Sequence, residues 1–332
     1  MTKLTDTAIS RVPLGTWPTP LEPMPRLARA LGLAADDLWI KRDDLTGLGG
    51  GGNKLRKLEW ICGAALAEGA TTLVTTGAAQ SNHARLTAAA GARLGLDVVL
   101  VLAGDAGSSR SGNLALDGLF GARVVWAGKT SSEGLAVAAE RVAQQLRRRG
   151  AAAALIPLGG STAVGARGYV ECGQELLAQE PALSTVVTAL GSGGTMAGLV
   201  ASLGPRRVLG VHCGAIADPG AAVANLVADL TGEAAAPERL RLRMDQVGSG
   251  YGALVSTVQD ALAQTARCEG IALDPIYTGR AMAGLIAAVK DGDIRPGERV
   301  VLLHSGGLPG FFGHPPTLDW AQSRLDTVRV DG

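Results

Sequence analysis

From about residue 57 to an apolar run ending near residue 304, short hydrophobic stretches alternate with segments of helical period. That alternation leaves few folds open. Strand-like runs are expected at 72–76, 98–103, 123–126, 153–157, 185–189, 208–213 and 299–304. Helical spacing is expected over 58–68, 83–94, 114–120, 134–149, 163–179, 195–203, 255–269 and 278–291. Helices that return the chain between apolar strands imply right-handed crossovers and a parallel sheet. A further short strand is expected at 37–42. Residues 1–26 carry Pro13, Pro18, Pro20, Pro23 and Pro25, which predict an irregular arm. Residues 220–250 run from Ala-rich to charged to Gly-rich and give no clear element.

Just before the alternation begins stands Gly49-Gly50-Gly51-Gly52-Asn53-Lys54. Consecutive glycines hold neither strand nor helix, but they turn tightly and let a ligand approach bare backbone. Leu55, Leu58, Ile61, Cys62 and Leu66 follow on one helical face, so Lys54 falls in the first turn of a helix. The helix dipole there favours the neutral amine, the form that attacks a carbonyl. The same run also reads as a surface loop followed by a solvated basic face. It is no nucleoside-triphosphate loop, because Leu55 stands where Ser or Thr should be.

Each strand that ends in a glycine-bearing loop is a candidate ligand edge. Ser81 and Asn82, in Gly77-Ala78-Ala79-Gln80-Ser81-Asn82-His83, fall at a helix start and could cap it or face a ligand. Gly191-Ser192-Gly193-Gly194-Thr195 lies between a strand and a helix, the arrangement that offers backbone N–H groups to a phosphate. No acidic residue closes the next strand, so a single phosphate suits this turn better than a dinucleotide. His304-Ser305-Gly306-Gly307 closes the last strand; His304 reads as a packed core residue and Ser305 as a partner for a heterocycle nitrogen. Tyr277 precedes a helix after the turn-fixing Pro275. Together these features suggest a pyridoxal phosphate site.

The balance of 31 Lys+Arg against 30 Asp+Glu, net +1, argues against nucleic acid as a partner. Arg147-Arg148-Arg149 closes a helix, where cations suit the dipole. No run reaches the ~20 apolar residues that span a bilayer. Residues 1–10 carry no apolar signal core, so a cytoplasmic protein is expected. Cys62, Cys172, Cys213 and Cys268 are scattered and are expected to be small buried hydrophobes, with no metal site.

Several motifs in order then carry a resemblance. They are Ile40-Lys41-Arg42-Asp43-Asp44, Gly51-Gly52-Asn53-Lys54-Leu55-Arg56-Lys57-Leu58-Glu59, Gln80-Ser81-Asn82-His83-Ala84-Arg85, Gly159-Gly160-Ser161, Gly165-Ala166-Arg167-Gly168-Tyr169-Val170, Glu269 to Gly279, and His304-Ser305-Gly306-Gly307. The chain resembles the pyridoxal-phosphate enzymes of the tryptophan-synthase-β type, in the group of D-cysteine desulfhydrase and 1-aminocyclopropane-1-carboxylate (ACC) deaminase. The resemblance implies an α/β fold with two open, twisted, mainly parallel sheets and helices on both faces. The expected division is a larger cofactor-binding domain of residues 1–57 and 164–332. A smaller domain, 58–163, is inserted in it, with the active site between them. A homodimer is also implied.

For the site, the resemblance implies Lys54 as Schiff-base lysine and base at Cα, and Asn82 on the ring oxygen. Gly191, Ser192, Gly193, Gly194 and Thr195 would surround the phosphate, with Thr278 and Ser305 beside the ring. Ser81, Asn82, His83, Tyr251 and Tyr277 would face the substrate, Ser81, Tyr251 and Tyr277 sharing in catalysis. ACC deaminases resemble this chain less at Thr278, where they carry a glutamate, and at Ser305, where they carry an apolar residue. The chain also departs from the family pattern at Gly49, Gly50, Ser249 and residues 253–256, all expected beside the substrate. Uncharged ring partners suit β-elimination from a cysteine-like amino acid. The expected reaction is D-cysteine to pyruvate, sulfide and ammonia, with L-cysteate sulfo-lyase and ACC deaminase as alternatives.

Overall fold

The computed structural model describes residues 10–107 and 110–325. Ten strands are present there: β1 (Leu21–Pro23), β2 (Leu38–Lys41), β3 (Thr72–Ala78), β4 (Asp97–Ala103), β5 (Arg123–Trp126), β6 (Ala153–Ile156), β7 (Leu183–Leu190), β8 (Val208–His212), β9 (Arg241–Arg243) and β10 (Arg299–Leu303). They form two sheets. The larger is ordered β1-β2-β10-β7-β8-β9 and the smaller β5-β4-β3-β6. Every pairing is parallel except β1 with β2.

The continuous apolar runs follow from burial on both faces, as parallel sheets require. In the larger sheet Val187, Leu209, Val300 and Leu302 face one core, with Leu285 and Met282 of the helix Thr278–Lys290. Their neighbours Val186, Val208, Val301 and Leu303 face a second core with Leu199 and Tyr169. In the smaller sheet Leu73, Leu100 and Leu102 pack on Leu55, Leu58 and Leu86. On its other face Val74, Val99 and Val101 meet Leu135, Ala139 and Ala143. The helix Lys54–Ala67 therefore begins beside one sheet and buries its apolar stripe on the other.

Two stretches differ from expectation. The proline-rich arm holds strand β1 and then the helix Pro25–Ala30, whose first residue is a proline placed where its missing N–H is no loss. Residues 220–250 contain most of the helix Pro219–Thr231, the turn Pro237–Arg239 and the edge strand β9. Both β1 and β9 are three residues long and flank the sheet, so neither carries the apolar run of a central strand. Arg147, in the charged run, donates to the carbonyl of Ala153 at 2.9 Å and ties its helix to β6. No helix among the described residues is long and apolar enough to cross a membrane.

A buried polar network joins the arm to the helices. Arg56 clamps the fully buried Asp43 with Nε at 2.8 Å and Nη2 at 2.9 Å. Asp43 also accepts from Thr19 (2.8 Å) and Tyr169 (2.6 Å). Arg56 and Lys41 meet Glu175 on the far side. Glu59 Oε1 accepts from the amides of Leu14 and Gly15 and from the Trp17 indole. Much of the Lys41–Asp44 and Arg56–Glu59 motifs is thus scaffold.

Burial pushes the Asp43 carboxyl up, but Arg56 and the two hydroxyls hold it below its ordinary value. Its stabilisation is therefore present above the unfolded carboxyl's pKa near ~4 and is lost as pH falls through the folded value. Replacing Asp43 by Ala leaves the buried Arg56 with Glu175 alone and removes the acceptor of Thr19 and Tyr169, and should cost about 3–5 kcal/mol in urea unfolding. Replacing Asp97, whose ion pair with Arg123 is solvent-exposed, should cost under ~1 kcal/mol.

Candidate active site

The carboxyl ends of both sheets open onto one cavity. Ala78 and Ala103 close β3 and β4 on one side; Ala189, Gly191, Gly214 and Ser305 lie at or just past β7, β8 and β10 on the other. Lys54, Lys57, Ser81, Asn82, His83, Tyr251 and Tyr277 complete the wall. Among the described residues, no Asp or Glu lines it.

The glycine run delivers Lys54. Gly49, Gly50, Gly51 and Gly52 all take positive φ, at 61°, 81°, 72° and 133°. A Cβ on Gly51 would stand 1.9 Å from the Asp44 carbonyl oxygen, so no larger residue fits. Arg85 pins the loop by donating to the carbonyls of Gly49 (2.7 Å) and Gly51 (2.9 Å). Lys54 then opens its helix half-buried, with Nζ 3.0 Å from Asn53 Oδ1 and 5.9 Å from the Tyr277 ring centroid. Burial, helped by the Arg85 charge, pushes its amine down to about 8. Desolvation leads here, where the sequence pointed to the helix dipole.

Facing Lys54 is a cup of donors. Gly191, Ser192 and Gly193 line the cavity ahead of the helix Gly194–Leu203, and Thr195 lines it from that helix's first turn. Among the described residues, no hydrogen bond takes up the amides of Ser192 and Gly193. The Gly194 amide is held by Ser161 Oγ at 3.1 Å, and Gly194 itself does not line the wall. A Cβ there would meet Lys57 Nζ at 2.8 Å.

Lys57 is the functional candidate that the sequence reading passed over. It is 1% exposed, donates to Gly159 O and Ser161 Oγ at 3.2 Å each, and has no acidic partner among the described residues. Burial and the charge of Lys54 push its amine well down. The available signal was its spacing, three residues past Lys54 on one helical face. Free amides at a helix start, a threonine hydroxyl and an unpaired buried amine are the donor set for a phosphate monoester.

His83 is 2% exposed, with Nε2 2.9 Å from Thr75 Oγ1. The Thr75 hydroxyl gives its one proton to Ile156 O at 2.9 Å, so His83 carries its proton on Nε2. Its Nδ1 has no partner. The Ser81 hydroxyl caps the helix Asn82–Leu94 through the Ala84 amide at 3.1 Å.

On the opposite wall the Tyr251 and Tyr277 hydroxyls are 2.5 Å apart. Burial holds both phenols in the protonated form, Tyr251 pushed up to about 12 and Tyr277 well above its ordinary value. One helix sets both rings. Tyr277 caps the helix Thr278–Lys290, while Arg280 donates to the carbonyls of Cys213 (2.5 Å), Gly250 (3.0 Å) and Ala253 (2.9 Å), bracketing Tyr251. Asp274 fixes the turn by accepting from the amides of Ile276, Tyr277 and Thr278. Thr278 gives its hydroxyl proton to Asp274 at 2.7 Å and does not line the cavity. Ser305 does. His304 is buried beside Ala272 O and Asp44. Cys62, Cys172 and Cys213 are buried, and no group of three or more metal-ligating side chains occurs among the described residues.

The profile of the family described as "Pyridoxal-phosphate dependent enzyme" matches residues 12–306. A protein of Pyrococcus abyssi, named "Putative 1-aminocyclopropane-1-carboxylate deaminase", is 40% identical over 324 residues, 92% of this chain and 95% of that one. A Pyrococcus furiosus protein of the same name is 38% identical, over 91% and 93%. A solved structure described as an "ACC deaminase homologue" superposes with a TM-score of 0.87 at 36% identity, covering 96% of this chain and 97% of that one.

Capture of a small aldehyde at Lys54, trapped with borohydride and located by peptide mass spectrometry, should rise with pH about a midpoint near 8. An unperturbed lysine would give ~10.4. A midpoint above ~10 would show that the wall does not desolvate this amine.

Proposed function

The chain belongs to the pyridoxal-phosphate-dependent enzymes, and we propose that it is a lyase eliminating the β-substituent of a cysteine-like amino acid, D-cysteine first. When bound, the cofactor supplies an aldehyde for amine linkage and a ring that accepts the electron pair left at Cα. Lys57, the Gly191–Gly193 amides and Thr195 hold its phosphate. Lys54 anchors the aldehyde carbon and afterwards takes the Cα proton as a neutral amine. Asn82 donates to the ring oxygen and Ser305 meets the ring nitrogen. The start of the helix Asn82–Leu94, through the Ser81 hydroxyl and the backbone amides of Asn82 and His83, receives the substrate carboxylate.

Tyr277, paired with Tyr251, gives a proton to sulfur as the Cβ–S bond breaks. The products are sulfide and, after hydrolysis, pyruvate and ammonia. General-acid help of this kind is worth about 10²–10⁴-fold. The observation that carries this proposal is the acid-free wall around two buried amines and a free donor cup. An anionic cofactor is what such a wall lacks, and a ring nitrogen without a carboxylate partner suits a good leaving group. Thr278 lends its hydroxyl to Asp274, which leaves Ser305 as the ring-nitrogen partner. A cytoplasmic homodimer completes the proposal.

ACC deamination is the second reading, favoured by the names of the relatives at 38–40% identity. A panel of D-cysteine, L-cysteine, L-cysteate, β-chloro-D-alanine and ACC, scored for keto acid and sulfide, separates the two. Pyruvate with sulfide from D-cysteine is expected; 2-oxobutanoate from ACC as the sole product would replace the first reading by the second. Lys54→Ala should abolish turnover. Tyr277→Phe should lower kcat by about 10²–10⁴ while cofactor stays bound. Lys57→Met should weaken cofactor retention roughly 10- to 100-fold.

A further inference from the structure

We infer that Asn113 is a positioning residue that decides which end of the Asn82 amide faces the cavity. Asn113 opens the helix Asn113–Leu119 and is fully buried, outside every motif described above. Its Nδ2 is 3.0 Å from the Gln80 carbonyl oxygen. A carbonyl only accepts, so the nitrogen end of Asn113 must point there. The second Nδ2 proton goes to Asn82 Oδ1 at 2.9 Å. The Asn82 oxygen is thereby turned inward. Asn82 lines the cavity, and its Nδ2, with two protons and no partner among the described residues, is the end of the amide left to face it. An electron-rich ring oxygen needs donors in that place, and a carbonyl there would repel it.

The anchor is itself fixed. The Asn113 amide N–H donates to Gln80 Oε1 at 2.9 Å, and Gln80 Nε2 donates to Ser111 O at 2.9 Å. Gly112, at φ 65°, lets this strand of chain reach Gln80; a Cβ on it would lie 2.4 Å from Gln80 Oε1. Asn113 Oδ1, by contrast, is buried without a partner. An unmet acceptor destabilises the fold. Its Nδ2 meets two acceptors at once, and the bond to Asn82 Oδ1 is the one that sets how the Asn82 amide is turned.

The inference rests on the proposal that Asn82 meets the ring oxygen. The test is the absorbance of the cofactor-loaded protein at fixed pH in Asn82→Ala, Asn113→Ala and Asn113→Asp, with thermal melts of each. In Asn113→Asp the carboxylate accepts from Asn82 Nδ2 and reverses its amide. The ring oxygen then loses a donor and its proton affinity rises. The ratio of near-ultraviolet to visible absorption should climb about tenfold, as for a pKa moved by about one unit. Asn82→Ala should move it the same way. Asn113→Ala, which frees the amide, should move it less, and it carries the test if Asn113→Asp does not fold. Wild-type spectra from folded Asn113 variants, beside a shifted Asn82→Ala, would overturn the positioning role alone. An unshifted Asn82→Ala would remove the ring-oxygen role and this inference with it.

Discussion

The structure turns on positive charge held at a sheet edge without acids to balance it. Lys54, Lys57 and Arg85 lie at or behind one wall, and no carboxylate of the described residues lines that wall. A buried ammonium without a counter-charge is costly, so it sheds its proton or acquires an anion. Both responses occur here. Lys54 is lowered to about 8, so that roughly a fifth of the amine is neutral at pH ~7.4. Lys57 lies against the turn whose free amides invite an anion. A phosphate seated there, as proposed, would relieve the cost of burying these amines.

Precise placement of those groups uses carbonyl oxygens in place of acids. Arg85 spends its Nη groups on the glycine loop and Arg280 on the loop of Tyr251. Each guanidinium fixes several backbone positions at once with a planar fork of donors. Neither cation brings a carboxylate to the wall, so the local potential stays positive. Had Arg85 been paired in a close ion pair, its depression of Lys54 would be cancelled. Asp117 raises the Arg85 proton affinity only from a distance, and Arg85 still sits below its ordinary value, near 10, because burial outweighs it.

Legibility in the sequence follows the physics of each element. β7, β8 and β10 pack residues on both faces, so they read as unbroken apolar runs. β9 alternates Arg241, Leu242 and Arg243 at an edge and reads as nothing in particular. The glycine loops were legible because positive φ demands glycine wherever it occurs. Arg280 and Asn113 were not, because nothing local marks them, and Lys57 showed only its spacing from Lys54: each acts on a partner 27 or more residues away. Thr278 shows the converse. It adjoins Tyr277 in sequence, yet its hydroxyl closes a turn on Asp274 and is absent from the wall.

The two lysines, three residues apart on one helix, need opposite protonation states for the chemistry proposed. Lys57 must be charged to hold a phosphate, and Lys54 neutral to give up and regain a proton at carbon. The Lys54 charge is the second cause, after burial, of the low Lys57 value. That coupling resolves the conflict once an anion sits in the cup. Lys57 abuts Gly194, so the anion's attraction, which weakens with distance, acts first on its amine. Lys54 leans instead on Asn53 Oδ1 and the Tyr277 ring. A charged Lys57 then disfavours a second charge at Lys54. Phosphate and aldehyde arriving on one molecule would thus set both amines in the states that hold them.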